Sequence, residues 1–328
     1  ESFRAALRTH LARFAGPDDG RGWREVLLTL AACLGALAVG AVAFARGWWL
    51  VFGAAVPVLA LLQVRVFLLH HDLCHGSLFR DRRTNRAVAL LLGPLASTSS
   101  SVWDREHQRH HRDSNNLDRS QDGQTGAWTV AQYRAAPAWQ RAFYRVVNQP
   151  LVLFGLVPPL YFLGFMRLAA RWYENVLFAA FAAALWWTGA WPVFGVALFP
   201  ATWFGFLLFH AQHTGHRLVR RRAPEYDFIE NGLVGSTCLV GPPIPGFAWF
   251  LYGVEYHHVH HLAPGIPAWR QRTCHDEGGA LFAEVPRLTL WDAVKATRLV
   301  LYDEARGRLI TFAEARLPHG PARAAEPS

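Results

Sequence analysis

Ten of the chain's 16 histidines fall into three clusters and one single residue, and nine of them, all but His258, are placed to share a site. They read His71-Asp72-Leu73-Cys74-His75, then His107-Gln108-Arg109-His110-His111, the lone His213, and His257-His258-Val259-His260-His261. On a helix, residues three and four apart share a face, so each cluster aims its imidazoles one way. A single HxxxH is common on helix surfaces and most such matches bind nothing, but two HxxHH groups beside one are not the pattern of scattered structural histidines. Imidazole suits zinc, copper, iron and nickel alike. Ligand number says more: a closed zinc site takes four donors and a catalytic one about three. Nine imidazoles therefore imply two metal ions with four or five nitrogens each, and two redox metals side by side are the simplest account.

Such a site needs elements that bring distant segments to one place, and composition says where they sit. The chain has 328 residues, 52% of them hydrophobic, with 14 Trp and 22 Phe against 17% charged. That balance lies on the membrane side of the globular range. The net charge of +9 comes almost wholly from arginine, Lys295 being the one lysine. No groove-reading motif accompanies the basic residues, so nucleic acid is excluded in favour of anionic lipid headgroups and an acidic redox partner. The cysteines Cys33, Cys74, Cys238 and Cys274 form no CxxC and read as reduced or buried thiols. Cys74 points away from its neighbour His75 on a helix and is read as packing rather than ligating.

Val26 to Ala45 is a 20-residue run without charge, enough to cross a ~30 Å hydrocarbon core, and no cleavable signal is read ahead of it. Trp48 to Leu69 returns, with Gln63 and Arg65 expected to snorkel from its last turns. A second hairpin is expected from Val176 to Trp191 and from Pro192 to His210. Leu151 to Met166 is interrupted by Pro158-Pro159; a third crossing between His111 and His213 would put the clusters in different compartments, so this segment reads as interfacial or re-entrant. Arginines 4, 8, 13, 21 and 24 and arginines 217, 220, 221 and 222 flank the spans on one side, where the outer turns hold Arg46. The positive-inside rule then puts both ends and every histidine cluster in the cytoplasm. Phe3, Leu7, Leu11 and Phe14 recur at helical spacing and fit an amphipathic helix, either on the membrane or packed on protein. The expected organisation is an all-α integral membrane protein of four transmembrane helices in two hairpins under a cytoplasmic histidine-rich cap. Residues 1–25 form an amphipathic segment, 26–312 the catalytic domain and 313–328 a disordered tail.

The motifs resemble those of the integral-membrane fatty acid desaturases, and among them the bacterial acyl-lipid type related to plant oleate desaturases. The matching text is His71-Asp72-Leu73-Cys74-His75-Gly76-Ser77, Trp103 through His111, and Tyr256-His257-His258-Val259-His260-His261-Leu262, with supporting stretches at Asn116-Leu117-Asp118-Arg119, Gly126-Ala127-Trp128-Thr129 and Gln212-His213-Thr214. The resemblance implies two iron ions held by His71, His75, His107, His110, His111, His213, His257, His260 and His261, with O2 as co-substrate. It also implies removal of two hydrogens from adjacent methylenes of an acyl-lipid or acyl-thioester, in the bacterial inner membrane with the site facing the cytoplasm. No haem-binding His-Pro-Gly-Gly segment or iron-sulfur motif occurs in the sequence, so a separate ferredoxin or cytochrome-type donor is expected. Asp72, Glu106 and Glu255 are candidates to accept a hydrogen bond from a ligating imidazole and fix its tautomer. His70 and His258 are off the pattern and read as packing or hydrogen-bonding residues. His210 and His216 are alternatives to His213, while His10, His275 and His319 read as unrelated to the site. His213 is preferred because a straight helix from Pro192 lifts it about 32 Å, level with the first cluster. Rival readings are a hydroxylase or ketolase acting on a carotenoid or other lipid and, in another class, a zinc-dependent membrane hydrolase or a metal transporter.

Overall fold

A computed structural model of the chain describes residues 2–119 and 126–316. It is mostly helical. After α1 (Phe3–Ala12) come two long apolar helices, α2 (Asp19–Ala45) and α3 (Trp49–His75). They are followed by α4 (Arg82–Leu92) and α5 (Ser100–Asp113), then the short α6 (Val130–Ala135) and α7 (Ala138–Val147). Next are α8 (Pro150–Leu168), α9 (Trp172–Trp187) and α10 (Trp191–Gln212). The carboxy-terminal third holds α11 (Phe228–Val234), α12 (Phe247–Leu251), α13 (His257–Leu262), α14 (Ala268–Gly278) and α15 (Leu290–Ala296). Five short strands, β1 (Trp128–Thr129), β2 (Cys238–Val240), β3 (Arg287–Thr289), β4 (Leu301–Asp303) and β5 (Arg308–Ile310), form two small open sheets ordered β1-β4-β5 and β2-β3.

Four helices are long and apolar enough to cross a membrane: α2, α3, α8 and α10. That set differs from the expected one at the third member. The helix expected at Val176 to Trp191 runs instead from Trp172 to Trp187, 16 residues or about 24 Å, because Gly189, at φ +69, turns the chain before Trp191. Pro158-Pro159 does not end α8. The two prolines lie in the first turn of a new helical segment after Leu156, and a π-helical stretch over Leu160–Phe165 absorbs the register change. Both ends of α8 lie near the histidines: Phe154 packs edge-on to His210 at 5.3 Å, and Met166 is fully buried with Val102 and Trp103. α9 starts at that level too, since Glu174 accepts hydrogen bonds from Ser99 Oγ at 2.6 Å and Ser101 N at 2.9 Å, at the start of α5. From there α9 runs down to the turn at Trp186 and Trp191, whose rings stack at 5.7 Å.

Three expectations change with packing. Arg65 does not snorkel: it is 1% exposed, ten residues short of the end of α3. Its guanidinium pairs with Glu25 of α2, donates to Thr29 Oγ1 at 2.9 Å and to the Trp249 carbonyl, and lies over the Trp249 ring at 3.9 Å. Gln63 is likewise buried. The helix α1 docks on protein, with Leu7, Leu11 and Phe14 buried against Ile266, Cys274 and Phe282. Of the expected disordered tail, Glu314–Arg316 form a turn in which Glu314 accepts from Thr311 N at 2.8 Å; residues 317–328, with His319, lie outside the described residues. Gly40 sets the approach of α2 to α10, since a Cβ there would overlap the Val193 side chain.

The Arg65–Glu25 pair is the one arginine–carboxylate contact among the described residues with both side chains under 10% exposed. Removing one partner leaves a buried charge uncompensated, at a cost of about 3–5 kcal/mol. Glu25→Ala is expected to lower the unfolding midpoint of the detergent-solubilised chain by several degrees, whereas Glu277→Ala, which breaks the exposed pair with Arg13, leaves it nearly unchanged.

Candidate metal centre

The histidines arrive at one place because four helix ends do. His71 and His75 ride the last turn and a half of α3, which continues past the apolar run until Gly76, at φ +71, caps it. His107, His110 and His111 occupy the second half of α5, whose start is capped by the Ser99 hydroxyl. His213 is the C-cap of α10, so the helix ends one residue before it. His257, His260 and His261 lie on α13, a six-residue helix. Its entry is a tight turn through Tyr252 and Gly253, both at positive φ, and a Cβ at Gly253 would collide with the Ala268 carbonyl. The Ala268 N–H donates to Asp72 Oδ2 at 2.9 Å. One backbone contact thus ties the third histidine cluster to the helix of the first.

The nine imidazoles divide into two adjoining groups, His71, His75, His107, His111 and His260 in one and His110, His213, His257 and His261 in the other. Within each helix the division follows the spacing. The pairs four apart, 71/75, 107/111 and 257/261, each stay together, while the residue three along, His110 or His260, crosses to the other group. His111 is the seam, its ring 4.6 Å from His260 and 4.5 Å from His261.

Nitrogens, rather than ring faces, meet inside each group. Nε2 of His107 lies 2.7 Å from Nε2 of His71 and 3.0 Å from Nε2 of His111, which in turn is 2.9 Å from Nε2 of His260. In the other group His213 Nε2 lies 2.9 Å from His257 Nε2 and 3.1 Å from His261 Nε2. A neutral imidazole carries one N–H and one lone pair, so a chain of nitrogens each facing two others cannot be satisfied by ordinary pairwise hydrogen bonds. Lone pairs converging on a cation satisfy it. Nε2 of His75 is buried with no hydrogen-bond partner, as a nitrogen reserved for a metal would be. Burial first, and neighbouring imidazoles second, hold the pKa values of His107, His111, His257, His260 and His261 well below the ordinary histidine value, leaving their lone pairs free for coordination at neutral pH. An all-nitrogen donor set of five and four fits two ions of the iron, copper or zinc class.

Orientation comes from the opposite ring nitrogens. His71 Nδ1 donates to Asp72 Oδ1 at 3.3 Å and His213 Nδ1 to the Gly235 carbonyl at 3.3 Å. Glu106 turns outward to Arg105 at 3.0 Å and Arg109 at 3.9 Å, a surface ion pair. Glu255 is buried with Oε2 unpartnered, and burial pushes its carboxyl up to about 6. Of the three carboxylates expected to orient a ligand, Asp72 is therefore the one in hydrogen-bond contact with a clustered imidazole. The Gly235 carbonyl left no signal in the sequence. His70 bonds Ser100 Oγ at 2.9 Å, His210 faces the Ala296 carbonyl at 3.4 Å, and His216 is exposed.

An apolar cavity lined by Val64, Phe67, Trp103, Phe162, Gly205 and Phe209 descends between α3, α8 and α10. It shares Phe67, Trp103 and Phe209 with a second cavity that reaches His71, His257 and His260. The Trp103 indole stacks on His107 at 4.8 Å with the rings 18° apart. His75 also borders a polar groove with Arg82, Arg86, Arg171 and Glu174. The histidine groups therefore have one greasy approach and one charged one.

The family model for fatty acid desaturases matches residues 46–291. A fatty acid desaturase of Bacillus subtilis (strain 168) is 27% identical over 320 residues, 93% of this chain and 90% of the relative. The sn-1 oleoyl-lipid 12-desaturase of Picosynechococcus sp. (strain ATCC 27264 / PCC 7002 / PR-6) is 27% identical over 325 residues, covering 90% and 88%. The beta-carotene ketolase of Paracoccus sp. (strain PC1) is 28% identical over 244 residues, covering 70% and 85%. The matched region carries all nine clustered histidines, and with it the chain belongs to the fatty acid desaturase family, membrane oxidoreductases that act on fatty acyl chains.

Proposed function

We propose that this chain is a di-iron acyl desaturase that introduces a double bond between adjacent methylenes of a lipid-linked acyl chain. The observation that carries it is the continuity of the apolar cavity with the two histidine groups. Two iron ions held by His71, His75, His107, His111 and His260 and by His110, His213, His257 and His261 would supply the O2 and redox chemistry. The reaction balances as one acyl CH2–CH2 unit, O2, two electrons and two protons giving CH=CH and two waters. Two of the four electrons that O2 takes up come from the substrate, and two from an external ferredoxin or cytochrome-type donor.

An unactivated C–H bond offers nothing for an acid or base to polarise, so the protein's contribution is position. Phe67, Trp103 and Phe209 confine the chain where the cavity meets His71 and His257, and their bulk excludes water from the reacting carbons. Asp72 and the Gly235 carbonyl hold His71 and His213 in the tautomer that leaves Nε2 free. The name of the Picosynechococcus relative favours an acyl chain already esterified to a lipid. That of the Paracoccus relative keeps a ketolase as the second reading. Product mass separates them: loss of two mass units for a double bond, gain of about fourteen for a ketone and about sixteen for a hydroxyl. Lipid profiling of a host lacking polyunsaturated lipids and expressing the chain is expected to give the loss; a net gain of oxygen would replace the desaturase reading by the oxygenase one.

We further propose four crossings, α2, α3, α9 and α10, with both ends and the histidines in the cytoplasm of a bacterial inner membrane. The proximity of His110 to His213, ring centroids 4.6 Å apart, requires an even number of crossings between them. The contacts at the two ends of α8 favour a helix lying along the interface at the level of the histidines, though its length alone would let it span. Cysteines introduced at Asn148 and Arg171 are expected to react from the cytoplasmic side alike; labelling from opposite sides would make α8 a span.

Metal content gives a further test. Purified chain is expected to hold about two irons, and His213→Ala to lose roughly one with all desaturation, because two neighbours, His257 and His261, meet at its Nε2. His210→Ala and His216→Ala should keep both irons; full activity with one ion per chain would refute the two-metal reading. Gly205 faces the cavity, and its added Cβ would meet only Val64 Cγ2, at 3.9 Å. Gly205→Leu is therefore expected to fold and to shift the product profile toward shorter chains, at least severalfold by gas chromatography, with iron content unchanged.

A further inference from the structure

A third cluster of metal-ligating side chains lies behind the third histidine motif, on the face of α13 turned away from the two groups of nine. His258 sits between the ligands His257 and Val259's neighbour His260 in sequence but points to α14, where its Nε2 meets His275 Nδ1 at 2.8 Å. Cys238, the first residue of β2, completes the set: one donor atom from each of Cys238, His258 and His275 lies within 4.8 Å of the others. Cys238 and His258 are buried, and His275 is partly exposed, giving the cluster an edge on solvent. Phe282 closes one side, its ring stacked on His275 at 5.6 Å and edge-on to His258 at 5.0 Å.

From these residues we infer a separate mononuclear site for a zinc-class ion, held by Cys238 Sγ and one nitrogen each of His258 and His275, with water in the fourth position at the exposed edge. Tetrahedral zinc with thiolate and imidazole ligands sets neighbouring donors about 3.3–3.7 Å apart. The 2.8 Å contact between the two rings has to open by less than 1 Å to reach that spacing, and it falls within the range of nitrogen–nitrogen contacts seen among the nine clustered histidines, 2.7 to 3.1 Å. The donor set differs from theirs in kind: a thiolate with two imidazoles selects zinc or copper, where the nitrogen-only groups do not discriminate. Burial pushes the free Cys238 thiol up to about 11 against the opposing pull of Arg287, so the sulfur becomes a thiolate only on the ion itself, as metal-bound thiols do, and the nearby anions Glu255 and Asp276 offset the ion's charge. The ion would tie β2, α13 and α14 together one residue from His257, and so fix the rotation of α13 that aims His257, His260 and His261 at their own metals.

Cobalt(II) substitution tests it directly, because a cysteine thiolate on cobalt gives an intense near-ultraviolet charge-transfer band that imidazole ligands do not. The full chain in detergent, stripped and reloaded with Co2+, is expected to show that band, to lose it in Cys238→Ser and to keep it in Cys74→Ser. As isolated, it is expected to hold one zinc that Cys238→Ser and His275→Gln both reduce at least tenfold. His275 is partly exposed, so its variant keeps the fold, and its melting curve checks this. Absence of the thiolate band in the cobalt-loaded chain, or a band that survives Cys238→Ser, overturns the site and leaves His258–His275 as a hydrogen-bonded pair. Neither readout depends on iron content or desaturation, so the two-iron reading stands or falls separately.

Discussion

Nine imidazoles meet in the interior with ring nitrogens 2.7 to 3.1 Å apart, in two groups that could each hold a metal ion, and bringing them together is the requirement the fold has to meet. That requirement governs the rest of the molecule. The lone pairs must arrive from four helix ends at one height, and the helices that supply them are separated in sequence by loops, a long apolar helix and two small sheets. Burial lowers the cost of keeping the rings neutral and raises the cost of any ring turned the wrong way. The structure answers with anchors on the outward atoms: Asp72 on His71, the Gly235 carbonyl on His213, and Asp72 again on the backbone that begins α14.

The same geometry gives the histidines two kinds of neighbour. Phe67, Trp103 and Phe209 form the neck of an apolar cavity, and His75 borders a groove edged with arginine. Glu174 joins these parts. It accepts hydrogen bonds from the hydroxyls of Ser99 and Ser101 at the start of α5 and so couples the second histidine motif to α9.

Packing partners were the part of the fold hidden from linear reading. Arg65 looked like a residue able to reach the interface from the end of its helix, but α3 continues for ten more residues and Glu25, Thr29 and Trp249 enclose it. An arginine in an apolar run announces a partner without saying which one. The helix α1 has a stripe that fits lipid or protein equally well, and Ile266, Cys274 and Phe282 decide for protein. Pro158-Pro159 reads as a break, yet a shift of hydrogen-bond register lets α8 continue, an outcome that depends on what surrounds those prolines.

Residue types and helical spacing marked out the nine candidate ligands, the number of metals they would suit and the apolar runs, because side-chain direction repeats locally with the turn of the helix. Tertiary structure alone decided how five and four ligands divide between two groups, since that depends on the angle at which helices meet. It alone brought His213, rather than His210 or His216, among the clustered rings, and put Asp72 in contact with His71 while Glu106 turns to surface arginines and Glu255 is buried with Oε2 unpartnered. The Cys238, His258 and His275 cluster was invisible for the same reason: its members are 20 and 17 residues apart with no common period, and only the fold of β2 against α13 and α14 brings them into reach.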